Sequence, residues 1–299
     1  MTNETILVTG ATGQVGRRLV PKLLNWREPG DQVRVLVRTS EAAERFEALG
    51  AQAVVGDVAD AAARRRALDG AALVVNSAAT FRNEGVTPAD MYAVNRDAAV
   101  ALARDGAQAG IRRFVQVSTG LVYGPGIGRP AREDDPLRAA ATGADDRRGA
   151  YPASKREAED QLRELSTQLG LDIVTLRLPF VYGEGDPHIE NILPLYGNRA
   201  AHEQTAMVHH ADVAQAVHGA LRATRAGASY TAYNLAGDGG STVFEFFELV
   251  GRQLDLEASA GRTVEDPWFG IPDTTRAYRE LGFRPIYPTA KAAWRDGAL

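Results

Sequence analysis

The chain has 299 residues, of which 44% are hydrophobic and 24% charged, enough for one large α/β domain or one domain with a smaller appendage. A net charge of −4 gives no sign of a nucleic-acid or anionic-membrane partner, and neither is expected. The absence of cysteine excludes disulfides, thiolate metal sites and a cysteine nucleophile. No apolar run approaches the about 18 residues of a membrane-spanning helix. The N-terminal Met1-Thr2-Asn3-Glu4-Thr5 lacks a basic region and leads straight into an apolar strand, so a cytoplasmic protein is expected.

In chain order, Thr5 to Thr9 reads as a buried strand and Gln14 to Asn25 as a helix, with Pro21 bending it or removing one hydrogen bond. Gln32 to Val37 is a second strand, Glu41 to Leu49 a helix, and Ala53 to Val55 a short third strand. Ala61 to Leu68 is helical, Ala72 to Asn76 is a fourth strand, and Pro88 to Ala109 is a long Ala-rich helix. Arg113 to Val117 is a fifth strand, Gly124 to Gly149 an irregular loop, Tyr151 to Leu169 a strong helix, and Asp172 to Leu178 a sixth strand. Strict alternation with continuous apolar strands predicts an α/β fold whose parallel sheet is covered on both faces. Beyond Pro179 the alternation degrades. Pro187 to Arg199 is mixed, Ala211 to Ala223 and Thr242 to Leu254 read as helices, and Tyr230 to Leu235 as a strand. The expected division is residues 1–179 as the main domain and 180–299 as a smaller lobe, interleaved with the last strands of the sheet.

Thr9-Gly10-Ala11-Thr12-Gly13-Gln14-Val15-Gly16 lies between the first strand and first helix. Glycine permits the tight turn and close approach of a pyrophosphate, and the helix N-terminus offers free N–H groups, so this segment is a candidate dinucleotide cradle. The second strand ends in Arg38-Thr39-Ser40, where a cofactor without a 2′-phosphate usually meets an acidic side chain. A guanidinium and two hydroxyls suit a 2′-phosphate, which favours NADP while leaving NAD open; a plain surface arginine is the alternative. Asp57, with Val58 beside it, either accepts from the adenine amino group or is a turn residue.

Only three of the 34 basic residues are lysines, and one of them, Lys155, follows Tyr151 by four positions. On a helix the two share a face, and an ammonium beside a phenol favours the phenolate. The same spacing also fits a solvent-facing helix carrying both by chance. Ser118 and Thr119 end the fifth strand, where ligands of a parallel sheet collect and a hydroxyl can bond a substrate carbonyl. His202, His209, His210 and His218, with Asp212, have no spacing that demands convergence, and no metal is expected. Glu133, Asp134 and Asp135 read as a solvated loop.

Together TGATGQVG, STGLVYG at 118–124, YPASK at 151–155, LRLPFVYG at 176–183, VHHADVA at 208–214, YNLAG at 233–237 and LGFRP at 281–285 resemble the extended short-chain dehydrogenase/reductase superfamily of NAD(P)-dependent epimerases, dehydratases and reductases. The resemblance implies a Rossmann-type doubly wound sheet with a smaller C-terminal substrate lobe. It implies Tyr151 as acid/base, Lys155 as holder of the nicotinamide ribose, and Thr119 as the catalytic hydroxyl. It implies Asn95, Ala78, Ala79 and Pro179 as cofactor-side residues and Tyr182 at the start of the substrate lobe; His188 is a candidate substrate contact. It also implies a homodimer through the helices at 88–109 and 151–169. Two positions depart from the nucleotide-sugar members. Gly120-Leu121 stands where the dehydratases carry Asp-Glu, and Thr205 stands where a diphosphate-clamping arginine is common, with Arg199 a possible substitute. The expected activity is therefore NADP-preferring interconversion of a carbonyl and its alcohol on a small molecule. Nucleotide-sugar epimerisation is the alternative, and a non-catalytic cofactor-binding regulator is the remote one.

Overall fold

The computed structural model describes residues 3–81, 84–143, 145–224 and 229–299; Met1 and Thr2 of the N-terminal segment and Ala144 of the 124–149 loop lie outside them. The strands in chain order are β1 (Thr5–Thr9), β2 (Gln32–Val37), β3 (Gln52–Val55), β4 (Leu73–Asn76), β5 (Arg113–Thr119), β6 (Asp172–Leu178), β7 (Phe180–Tyr182), β8 (Gln204–Thr205), β9 (Met207–His209), β10 (Tyr230–Asn234) and β11 (Ser241–Thr242). Seven of them form a parallel sheet in the order β10-β6-β5-β4-β1-β2-β3. This is the Rossmann-type doubly wound arrangement, and the strand order reverses between β1 and β4, where ligands of such sheets bind.

The helices α1 (Gly16–Trp26), α2 (Ser40–Ala48), α3 (Ala61–Leu68), α4 (Pro88–Tyr92), α5 (Ala99–Gln108), α6 (Arg147–Leu169), α7 (His188–Tyr196), α8 (His210–Arg222) and α9 (Val243–Leu249) follow in chain order. Alternate residues of each strand feed two cores. Val8, Val35, Val115 and Val174 pack with Leu19 and Leu23 of α1 and Val217 and Leu221 of α8. Leu7, Val74, Phe114 and Ile173 pack on the other face with Ala67 of α3, Leu102 of α5 and Leu162 of α6. Both strand faces are apolar because both are buried, and each fully buried leucine contributes about 1.5–3 kcal/mol.

Several elements differ from the sequence reading, among them the tail after Leu254, which reads as irregular and contains short helices at Leu256–Ala260, Thr275–Glu280 and Ala290–Arg295. The helix from Pro88 is interrupted by a π segment, Ala93–Ala98, because buried Asn95 bonds outward to Thr80 and Ser154. Helix α6 begins four residues before Tyr151, since Asp146 caps it by accepting from the Gly149 amide at 2.9 Å. Helix α9 stops at Leu249 instead of continuing to Leu254; Gly251, at φ +65°, takes the left-handed conformation that ends a helix. The 187–199 stretch contains the regular helix α7. Pro21 leaves α1 unbroken.

A third cluster gathers Tyr182, Ile189 and Tyr196 with Met207, Val243 and Phe246. It is tied to α1 by Arg18, whose Nε and Nη2 donate to the Glu184 carbonyl at 3.0 and 2.8 Å, and by a Lys22–Glu184 ion pair at 2.7 Å. Strand β10 returns to the main sheet and α8 to its face, so parts of the chain beyond residue 179 belong to the main sheet and its core. Among the described residues no helix is long and apolar enough to cross a membrane.

Candidate active site

The glycine turn after β1 is shaped by contacts that no side chain could share. Gly10 sits at φ +67°, and a Cβ there would lie 2.4 Å from the Ala78 amide nitrogen. A Cβ on Gly16 would lie 2.2 Å from the Gly10 carbonyl oxygen. Thr12, Gly13 and Gln14 are exposed at the mouth of α1, and the amides of Thr12, Gln14 and Val15 find no acceptor among the described residues. Free N–H groups at a helix N-terminus, on a loop stripped of Cβ atoms, fit a pyrophosphate. Ser77 and Ala78, which follow β4, lie against this loop, and Ala79 comes next in the chain. Arg38 projects from the end of β2 into solvent with no partner among the described residues, while Thr39 caps α2 by accepting from Ala42 N at 3.2 Å. Asp57 accepts from Ala59 N at 2.8 Å and so serves its own turn, and Val58 packs partly against the α3–α5 core.

Tyr151 and Lys155 lie one turn apart on α6, which packs against the C-terminal end of β5. Tyr151 is half-buried, its ring edge-on to Phe81 with centroids 4.7 Å apart. Lys155 is buried and its Nζ donates to the Val117 carbonyl at 3.1 Å. That carbonyl also accepts from Gln116 Nε2, at the end of a buried polar chain through Asn76 to Thr9. The strand's alternation separates the two candidate hydroxyls. Ser118 faces α6 and donates to Glu159 at 2.5 Å. Thr119 Oγ1 accepts from the Leu121 amide at 3.2 Å, which leaves its proton free to donate. Asn95 spends its amide on Thr80 and Ser154, and so braces the segment after β4 against α6.

Burial depresses the Lys155 ammonium from 10.5 to about 8, against the opposing charge of Glu159. A lysine depressed on folding binds fewer protons folded than unfolded between about 8 and 10.5, so its contribution makes stability rise with pH across that window. Urea unfolding is expected to show the folding constant of the wild type gaining on that of Lys155→Met by up to about tenfold per pH unit there. Parallel pH curves for the two proteins would contradict this.

The charged pair beneath the site escaped the sequence reading. Arg177 and Glu159 are both fully buried, with Nη2 2.8 Å and Nε 3.0 Å from Oε2. Tyr230 OH donates to the same carboxylate at 3.0 Å, and Arg177 Nη1 donates to Tyr123 OH at 2.7 Å. Burial opposes the Arg177 charge, but the Glu159 carboxylate outweighs it and holds the guanidinium above its usual value. The available signal was the spacing: Glu159 is four residues beyond Lys155 on the same helix face. Glu133 corrects the expectation of a solvated loop. It is buried because the loop folds back over the end of β10, where its Oε1 accepts from Asn234 N at 2.9 Å; burial raises its carboxyl pKa.

A cavity of about 280 Å³ borders Gly120 and Leu121, which directly follow Thr119, and Pro179, which follows β6. Thr119 adjoins it through Gly120 and Leu121, but Thr119, Tyr151 and Lys155 do not line it, and Tyr182 and His188 do not line it either. Tyr182 is buried in the small-lobe cluster, and His188 stacks on Phe180 with centroids 4.1 Å apart. Arg199, the possible diphosphate clamp, pairs with Glu203 at 2.7 Å and lies over the Tyr196 ring. Thr205 Oγ1 bonds Tyr196 OH at 3.0 Å. Asp212 accepts from the Ile286 and Tyr287 amides, which makes the 208–214 motif a structural corner. Among the described residues no group of three His, Cys, Asp or Glu side chains is placed to hold a metal ion.

Comparison with known proteins accords with this architecture. The chain is 33% identical over 187 residues to the 4-hydroxy-2-methyl-3-oxo-4-farnesyl-3,4-dihydroquinoline-1-oxide ketoreductase of Stigmatella aurantiaca, covering 60% of this chain and 51% of that protein. It is 31% identical over 188 residues to the UDP-glucose 4-epimerase of Vibrio cholerae, covering 61% of this chain and 53% of that one. The match thus spans about half the length of either relative. A dTDP-glucose 4,6-dehydratase from Streptomyces venezuelae, solved with NAD bound, superposes with a TM-score of 0.76 at 25% identity, covering 97% of this chain and 95% of that one. A short-chain dehydrogenase/reductase superfamily protein from Agrobacterium tumefaciens with bound NAD shares the fold, with a TM-score of 0.75 at 22% identity, covering 98% of this chain and 95% of that one. Residues 6–236 match the model of the NAD dependent epimerase/dehydratase family, and the chain belongs to that family.

Proposed function

We propose that the protein is an NADP-preferring oxidoreductase that interconverts a ketone or aldehyde with its alcohol. The observation that carries this reading is the placement of Tyr151 and Lys155 on α6 against the end of β5, where Thr119 keeps a free hydroxyl proton. The bound nicotinamide would supply a hydride to the carbonyl carbon, or accept one from the alcohol. In reduction, Tyr151 gives its phenolic proton to the carbonyl oxygen; in oxidation, it takes the proton back from the hydroxyl. Thr119 donates a hydrogen bond to that oxygen and polarises it. The Lys155 charge favours the phenolate that follows proton loss and offers donors to the ribose. The free amides of Thr12, Gln14 and Val15 would hold the pyrophosphate, and Arg38 would meet the 2′-phosphate.

Dehydration finds no carriers at Gly120-Leu121, where an acid and a base would be needed. Epimerisation needs no further catalytic group, and the similarity to a UDP-glucose 4-epimerase keeps it as the second reading. NADPH oxidation by a ketone panel, followed by absorbance, tests the choice. Net turnover with freely exchanging cofactor supports reduction, whereas tightly retained NAD without net turnover supports epimerisation. In the same assay Arg38→Ala is expected to lower kcat/KM for NADPH by about tenfold and to leave NADH nearly unchanged. Equal losses with both cofactors would remove the NADP preference.

A further inference from the structure

The cavity beside Thr119 has walls of unlike character. Leu121, Ile127, Pro179, Trp268, Phe269 and Ile271 supply an apolar lining. Trp268 is 43% exposed, Phe269 41% and Leu121 37%, so much of the apolar surface of these three lining side chains is left uncovered among the described residues. This surface is fixed in place. Asp266 accepts from Trp268 N through Oδ1 and from Gly128 N through Oδ2, both at 2.9 Å, and so laces the 266–272 segment to the 124–138 loop. Ala131 N donates to the Ile271 carbonyl at 2.9 Å, and Asp273 N returns to the Ala131 carbonyl at 2.7 Å. Gly126 permits that approach, since a Cβ there would fall on the Asp266 carboxylate.

The cations around the cavity are mostly committed. Arg129 holds Asp135 through both Nη atoms, at 2.9 and 2.6 Å, and Arg177 is sealed against Glu159. Among the described residues, Arg138 alone of the lining guanidiniums has no carboxylate partner. A diphosphate carries two or more charges and is usually met by several charged donors, whereas aromatic and aliphatic walls favour a ligand that buries carbon.

We propose that this cavity binds the body of an apolar, ring-bearing carbonyl substrate and not a nucleotide sugar, with Trp268, Phe269 and Leu121 as its specificity-determining walls; its carbonyl character rests on the oxidoreductase reading above. Isothermal titration of the full chain, wild type and Tyr151→Phe, with and without NADP, would use 2-tetralone and UDP-glucose as probes. The expected result is 2-tetralone binding at least about tenfold tighter than UDP-glucose in both proteins. The Trp268→Ala/Phe269→Ala double variant is expected to weaken it by about tenfold or more, and so is Leu121→Asp, on the opposite loop. Tighter binding of UDP-glucose, no saturable binding of 2-tetralone, or an unchanged 2-tetralone affinity in both wall variants would overturn the assignment. Wall-dependent binding without NADPH oxidation would uphold the cavity and remove the oxidoreductase reading. NADPH oxidation by 2-tetralone that ignores both wall variants would do the reverse.

Discussion

Tyr151→Phe is expected to lower kcat/KM for carbonyl reduction by about 10²–10⁴-fold, while the dissociation constant for the dinucleotide stays within about threefold of wild type. The substitution removes one oxygen and keeps the ring. That ring packs edge-on against Phe81 in the first turns of α6, so the contact and the helix survive. What disappears is the only phenol one helical turn from the buried Lys155, and with it the proton that reduction must place on the carbonyl oxygen. Thr119 keeps its hydrogen bond from the Leu121 amide and still polarises the oxygen, which leaves residual turnover above background. Steady-state kinetics on the variant, with cofactor affinity from fluorescence titration and the fold checked by circular dichroism, separate these effects. Near-normal turnover in a well-folded variant would sink the role given to Tyr151.

The regular half of the fold was legible because its signals are local. Strands such as Thr5–Thr9 and Asp172–Leu178 lie at the expected bounds, since a parallel sheet buried on both faces writes itself as continuous apolar runs. The glycine turn was legible for a similar reason: steric exclusion at Gly10 and Gly16 leaves no other residue type. The features that escaped depend on distant partners. The π segment at 93–98 exists because Asn95 reaches Thr80 and Ser154, and nothing in its local sequence contradicts an ordinary helix. Glu133 sits among charged neighbours and reads as solvated, but its partner is the Asn234 amide, 101 residues away. The cavity wall at 266–272 lies in the stretch after the last predicted helix, and bonds to partners far away in the chain, from Gly128 to Asp266 and between Ala131 and Ile271 and Asp273, bring it against the 124–138 loop. Ser118 and Thr119 are equivalent as a dipeptide; only pleat register assigns one to Glu159 and leaves the other free.

Breaking the buried Arg177–Glu159 pair from one side is expected to be the most destabilising change outside the apolar core. Arg177→Met leaves the Glu159 carboxylate at zero exposure with Ser118 and Tyr230 as its remaining hydrogen-bond donors among the described residues, and removal of one partner of such a pair costs about 3–5 kcal/mol. The melting temperature should fall by roughly 5–15 °C. The pair itself need not be worth that much, because an apolar replacement of both partners avoids the desolvation of either. Arg177→Met/Glu159→Leu should therefore recover a large part of the loss, measured by thermal and urea unfolding of the two single variants and the double. A double variant as unstable as the sum of both singles would show that the polar network to Tyr123 and Ser118, and not the uncompensated charge, sets the cost. Glu159→Gln adds a second readout that links this pair to the chemistry. The Glu159 charge is what opposes the burial-driven fall of Lys155 to about 8, so its removal should move the Lys155 transition to lower pH. The stability difference from Lys155→Met would then begin to grow below pH 8, which a purely structural role for Glu159 would not produce.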